Sequence, residues 1–261
     1  MTRRIVRAAV LISALLGCRA EGIKWSEPTA LAAELSTTTE LAFDAQQKLS
    51  PRPAPGISLP VFLGQCAGSV RIARDTTGNW YSAWWAARSD STADLVVSRS
   101  TDGVAWAPAV RVDSTDAARV GCQRPAPSIV ADGGNVHVAY AMTAREGPGI
   151  FASHSMDRGM TFHSPVVVVY GERIGLTAVA ARGDLVAVAY EDPNSSPQRV
   201  ALAFSRTMGH VFETRETVSP ATGEARAPGV TLGDGAIAVT WARGPATDAS
   251  APRLIRVGEV R

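Results

Sequence analysis

The stretch Ser155-Met156-Asp157-Arg158-Gly159-Met160-Thr161-Phe162 decides the fold of this chain. It reads as a tight turn that ends in an aromatic anchor. Ser and Asp oxygens satisfy the backbone N–H groups of such a turn, Gly supplies a positive φ, and the ring holds the turn in an apolar layer. Two imperfect copies flank it. Ser100-Thr101-Asp102-Gly103-Val104-Ala105-Trp106 is one residue short between Asp and the aromatic, and Ser205-Arg206-Thr207-Met208-Gly209-His210-Val211-Phe212 carries Thr207 in place of Asp. Each copy closes a strand-like run, 94–106, 149–162 and 200–212. Ahead of each run stands a Gly-led segment in which small or apolar residues alternate: GNWYSAWWAAR (78–88), GNVHVAYAMTAR (134–145) and GDLVAVAYED (183–192), with a fourth, GAIAVTWAR (235–243), after the last run. That alternation is the period of a β-strand, and the whole unit returns about every 50 residues, the size of a propeller blade.

The turn resembles the Asp box, S-x-D-x-G-x-T-[WF], also called the BNR repeat, of the sialidase superfamily; the resemblance covers roughly residues 58–261. It implies an all-β fold, a small sialidase-like β-propeller; counting the units gives four blades with four antiparallel strands each. It also implies that Ser100, Asp102, Gly103, Trp106, Ser155, Asp157, Gly159, Phe162, Ser205, Gly209 and Phe212 are structural, on the face opposite the ligand site. Units begin near 68, 125, 176 and 227, and the last lacks a fourth strand. The segment Ile57 to Cys66 resembles a fourth strand with its exit loop, as Pro108 to Val112 leads to Cys122. An N-terminal strand at 57–65 is therefore expected to complete the last blade and close the ring, removing open edges. A five-bladed ring is the alternative.

Three segments precede or form this body. Residues 1–17 have the plan of a signal peptide: Arg3, Arg4 and Arg7, then the apolar Ala8 to Leu16, too short to span a bilayer as a helix. Leu15-Leu16-Gly17-Cys18 resembles the bacterial lipobox, which implies lipidation of Cys18 and a membrane partner through that lipid. Arg19 after the cysteine favours an outer-membrane lipoprotein, periplasmic or surface-exposed. Residues 18–56 are expected to be a tether, with Thr37-Thr38-Thr39-Glu40 capping a short helix through Lys48 and a Pro-rich spacer from Ser50 to Gly56. The propeller is 57–261. In an exported protein the remaining cysteines, Cys66 and Cys122, are expected to form a disulfide between adjacent units; two free buried thiols are the alternative.

Composition narrows the function. The chain has 261 residues, 46% of them hydrophobic and 19% charged, enough apolar content for a core. Without Arg3, Arg4 and Arg7, 23 basic residues face 24 acidic ones, so no basic footprint for nucleic acid is present. His137, His154, His163 and His210 are scattered with no metal-ligand spacing, so no metal is expected. No nucleotide-binding or nucleophile-elbow motif implies a cofactor.

The sialidase resemblance implies three arginines on a carboxylate, a Tyr–Glu nucleophile and an Asp acid in six blades. Here Arg71-Ile72-Ala73 and Arg124-Pro125 each match part of that family's Arg-Ile-Pro signature. The tyrosines Tyr81, Tyr140, Tyr170 and Tyr190 do not assemble a nucleophile, because Tyr140 and Tyr190 fall at core positions where other units carry Trp84 and Trp241. On the loop face, Arg88, Arg145 and Arg243 end the second strands, Glu191 and Asp192 take the corresponding place in the third unit, and Arg124 lies near. They are the ligand-binding candidates, since guanidinium groups fork onto carboxylates; the alternative is pairing with Asp90, Glu146 or Glu191. The expectation is a non-catalytic, lipid-anchored envelope module for carbohydrate binding or for an envelope protein. The alternative is a sialidase-type exo-glycosidase acting on an acidic sugar.

Overall fold

The computed structural model describes residues 22–32, 35, 40–52, 57, 61–62, 64–244 and 251–260. The signal segment, Cys18 and the Thr37–Thr39 part of the expected capping box lie outside them. Four short strands precede the repeats: β1 (Lys24–Trp25), β2 (Thr29–Ala30), β3 (Leu41–Phe43) and β4 (Leu49–Pro51). The first blade is β5 (Arg71–Arg74), β6 (Trp80–Ala87), β7 (Ala93–Ser100) and β8 (Val110–Asp113). The second is β9 (Ser128–Asp132), β10 (Asn135–Ala144), β11 (Gly147–Ser155) and β12 (Val166–Tyr170). The third is β13 (Thr177–Arg182), β14 (Leu185–Glu191), β15 (Val200–Ser205) and β16 (Thr214–Thr217). The fourth begins with β17 (Ala225–Leu232), β18 (Ala236–Arg243) and β19 (Arg253–Glu259). All pairings are antiparallel, and in the first three blades spatial order follows chain order. This is an all-β propeller with four blade sheets.

Alternation along the second strands builds the layers between blades. In β14, Val186, Val188 and Tyr190 pack into the core shared with the second blade, while Ala187 and Ala189 pack beside Ile237, Val239 and Trp241 of the fourth. In β10, Val138, Tyr140 and Met142 meet Trp85 and Leu95 of the first blade, and Ala139 and Ala141 turn to the third. Successive residues of a strand face opposite sides, so a run such as Leu185 to Ala189, LVAVA, is apolar throughout because both sides are buried.

The turns after β7, β11 and β15 are held by side-chain oxygens that accept backbone N–H groups. Ser155 Oγ accepts the Gly159 N–H at 2.8 Å, and Asp157 Oδ1 accepts those of Met160 and Thr161 at 3.0 and 2.9 Å. Thr161 Oγ1 donates to Asp157 Oδ2 at 2.6 Å. This hydroxyl bond, with the backbone bonds, outweighs desolvation and brings the Asp157 carboxyl down to about 2. Arg158 and Gly159 are both left-handed, with φ of 60° and 74°. In the shorter copy Asp102 Oδ1 takes the Val104 and Ala105 N–H groups, each at 2.8 Å. In the third, Thr207 Oγ1 accepts only Val211 N–H at 3.1 Å. Phe162 packs against the core of the first and second blades, and Phe212 is buried in that of the second and third.

An N-terminal strand closes the last blade as expected, but it comes from an earlier segment than 57–65. None of the described residues of 57–65 pairs with the edge of the fourth blade. That edge is held by β1, which pairs β19 through Lys24↔Glu259 and Trp25↔Gly258, and by β2, which also pairs β19. Ile23 and Trp25 pack against the core between the third and fourth blades. Phe62 and Gln65 instead meet the first blade: Phe62 stacks on Trp84 with centroids 4.4 Å apart, and Gln65 bridges Ala86.

The tether helix is corrected too. Residues 41–51 form a hairpin, β3 with β4. Asp44 Oδ1 accepts the Gln46 and Lys48 N–H groups, both at 2.9 Å, and shapes its turn. Leu41, Phe43 and Leu49 pack on Ala238 and Ile255 of the fourth blade; this burial outweighs local helix propensity. Cys66 and Cys122 are disulfide-bonded, Cα atoms 5.3 Å apart, and fasten the start of the first blade to its connection with the second.

Candidate functional site

Four of the six loop-face candidates have hydrogen-bond or ion-pair partners within the protein. Arg88 is ion-paired with Asp94 and donates to Ser114 O at 3.2 Å. Arg124 is buried, 4% exposed, and its Nη2 bonds Asp116 Oδ2 and Ala118 O, each at 2.5 Å. Glu191 is a buried pin between blades: Oε1 accepts Ala227 N–H at 2.9 Å and Oε2 accepts Leu176 N–H at 3.2 Å. Asp192 Oδ1 accepts Asn194 N–H at 3.0 Å, shaping its own loop. Arg145 and Arg243 are exposed at the ends of β10 and β18.

A cavity of about 500 Å³ lies elsewhere, between the first strands of the four blades. Small residues such as Ala126, Ser128, Ala178, Ala180 and Gly229 face it and leave its middle unfilled. None of the six loop-face candidates lines it. Its charged groups are Arg71, Arg253, Arg52 and Glu40. Arg253 Nη2 donates to Ala227 O at 3.1 Å and Thr240 Oγ1 at 3.0 Å, both neutral acceptors. Desolvation holds its guanidinium below the usual range, with no carboxylate opposing it. Arg71 Nη1 donates to Val70 O at 2.8 Å; desolvation lowers it also, partly offset by Glu40. Arg52 Nη1 lies 3.9 Å from Glu40 Oε2. The lining thus offers three guanidinium groups against one carboxylate among the described residues.

The tyrosines lie outside this cavity. Tyr81 donates to Asp75 Oδ2 at 3.2 Å, and Tyr140 to Asp113 Oδ2 at 2.6 Å. Burial first, then the neighbouring carboxylate, pushes Tyr81 up to about 12; burial does the same to Tyr190, also about 12. These phenols stay protonated.

Arg71 was visible in the sequence only as part of an incomplete motif. Arg253 carried no signal, while Glu40 read as a helix-capping residue and Arg52 as part of a spacer, because their proximity depends on the hairpin and on β19. The histidines need a further correction: far apart in sequence, they meet in space, and His154, His163 and His210 place ligand atoms within 4.8 Å of one another.

No protein-family model matches the sequence, and no curated protein matches it significantly. Solved structures do match the fold. The GH93 α-L-arabinofuranosidase of Fusarium graminearum, in complex with arabinobiose, aligns with a TM-score of 0.53 at 13% identity, over 75% of this chain and 64% of that one. A Dyadobacter fermentans protein of unknown function gives 0.51 at 13% identity, over 73% and 52%. The Hadza microbial sialidase Hz136 gives 0.48 at 18% identity, over 67% and 42%. The fold is that of propeller glycosidases, and the chain spans roughly half the length of these proteins.

Proposed function

We propose that this protein is a non-catalytic binding propeller of the Asp-box type that takes a carboxylate-bearing glycan in its central cavity. The observation that carries this reading is Arg253: a desolvated guanidinium at the cavity wall with only neutral partners. A partly desolvated charge with no counter-charge among the described residues is costly, and a ligand carboxylate relieves that cost while gaining charge-assisted hydrogen bonds. Arg71 and Arg52 add to the attraction. Among the described lining residues, one carboxylate and no tyrosine favour binding over hydrolysis, because glycoside hydrolysis uses a pair of acidic groups or a nucleophile with an acid. The lipobox at Cys18 supports anchoring at the outer membrane.

Thermal melting of the chain in the presence of sialic, glucuronic and galacturonic acids, with arabinobiose as the neutral control, tests the reading. A ligand at one hundred times its Kd adds about 2.7 kcal/mol of stability. Stabilisation by an acidic sugar, lost in Arg71→Ala, supports it; equal response to the neutral sugar, or none to any acid, counts against it. The second reading, a sialidase-type hydrolase, is favoured by the glycosidase fold. Release of a fluorophore from an acidic-sugar glycoside, abolished by Glu40→Gln, would establish that one instead.

A further inference from the structure

The chain contains four histidines, and all four stand together. His137 on β10 and His154 on β11 are direct cross-strand partners, with ring centroids 5.8 Å apart. His163 follows the turn after β11; its ring stacks on His154 at 4.4 Å and 10°. His210 comes from the turn of the third blade and stands edge-on to His154 at 4.3 Å and to His163 at 5.4 Å. His154 is buried, and its Nε2 has no hydrogen-bond partner; the same holds for His137. His163 and His210 are exposed above them.

The turns do not require these residues. The bond from His163 N–H to His154 O, 2.9 Å, has counterparts in Ala107 to Arg99, 2.8 Å, and Glu213 to Phe204, 3.1 Å. The first and third blades thus build the same closure with Arg and Ala, or Phe and Glu. In the second-blade turn Met160 follows the glycine where His210 does in the third. Packing and turn geometry therefore leave the convergence of imidazoles unexplained.

We propose that His154, His163 and His210 bind a transition-metal ion of the zinc, copper or nickel class at the seam between the second and third blades. Imidazole nitrogen suits these ions. Metal–nitrogen bonds of about 2.0–2.1 Å in a tetrahedral site bring donors to roughly 3.4 Å apart. The observed donors fall within 4.8 Å, so the site closes by rotation of the two exposed rings onto the fixed His154. His137 lies behind His154 and holds its ring in place, a positioning role. Three neutral donors leave the ion's double charge uncompensated and its fourth position open to solvent, where water or an anion binds. None of the four histidines lines the central cavity, so this site is separate from the one proposed above.

The test uses the full chain without a polyhistidine tag, stripped with chelator and titrated with ZnCl2 and with CuCl2. One Zn2+ per chain is expected by calorimetry, and the Cu2+ form should show hyperfine coupling to three nitrogens in its paramagnetic resonance spectrum. His163→Ala and His210→Ala, both at exposed positions, should each weaken binding by roughly tenfold or more and remove one nitrogen from the pattern, without changing the metal-free melting temperature. Absence of a stoichiometric Zn2+ site, a spectrum without the three-nitrogen pattern, or binding unchanged in both variants would overturn the proposal and leave a cluster that only packs.

Discussion

The third and fourth blades have the same four-stranded plan but obtain it differently. The third is one uninterrupted run from Thr177 to Thr217, each strand paired with the next. The fourth takes three strands from the C-terminal end and its outer edge from β1 and β2 at the N-terminal end. Its second face is covered by the β3–β4 hairpin instead of another blade. Repeats thus encode a blade locally, whereas closure depends on a segment that shares none of the repeat's pattern.

Deleting residues 22–30 breaks the comparison most directly. It uncovers apolar surface packed by Ile23 and Trp25 and is expected to cost roughly 5 kcal/mol, read from urea denaturation. An unchanged midpoint would mean that the fourth blade is as self-sufficient as the third. Next in size is the staple at the first blade. Cys66→Ser with Cys122→Ser opens a loop with a sequence separation of 56, and loop-closure entropy puts the loss at about 4 kcal/mol; melting with and without reductant measures the same quantity.

Within the locally encoded blades the effects are smaller. Tyr140→Phe removes the buried donor to Asp113 Oδ2 and should cost about 2 kcal/mol, because a desolvated oxygen loses its partner. Asp157→Ala should cost about 1 kcal/mol after allowance for solvent screening of a partly exposed turn. Hydrogen bonds hold its carboxyl at about 2 in the fold, below the ordinary carboxylate value. The stabilisation is therefore fully present above the unfolded value and is lost as pH falls through about 2, and acid titration of the Asp157→Ala variant should lack that loss. The smallest expected change is a gain of several tenths of a kcal/mol in Thr207→Asp, which gives the third turn the acceptor that Asp157 supplies in the second.

The same division explains what was legible in the sequence. The turn at Ser155 and the alternation in Leu185 to Glu191 are written within a few residues, and their geometry follows from elementary preferences. The hairpin was not legible, because Leu41, Phe43 and Leu49 suit either an amphipathic helix or two short strands until Ala238 and Ile255 are placed beneath them. Arg253 looks like any strand-leading arginine; its character comes from Ala227 and Thr240, distant in the chain. His137 and His154 are neighbours only once the register of β10 and β11 is known. Arg88 and Glu191 show the converse: sequence left ligand binding and internal pairing both open, and the fold supplies the partners.

The pairing of β1 with β19 also bears on how the molecule comes into being. Ser26 and Val257, 231 residues apart, are joined by hydrogen bonds from each backbone N–H. β1 therefore stays unpaired until β19 is in place. Its docking joins distant parts of the chain, the kind of contact that slows folding. The fourth blade is complete only when these two distant segments are present together.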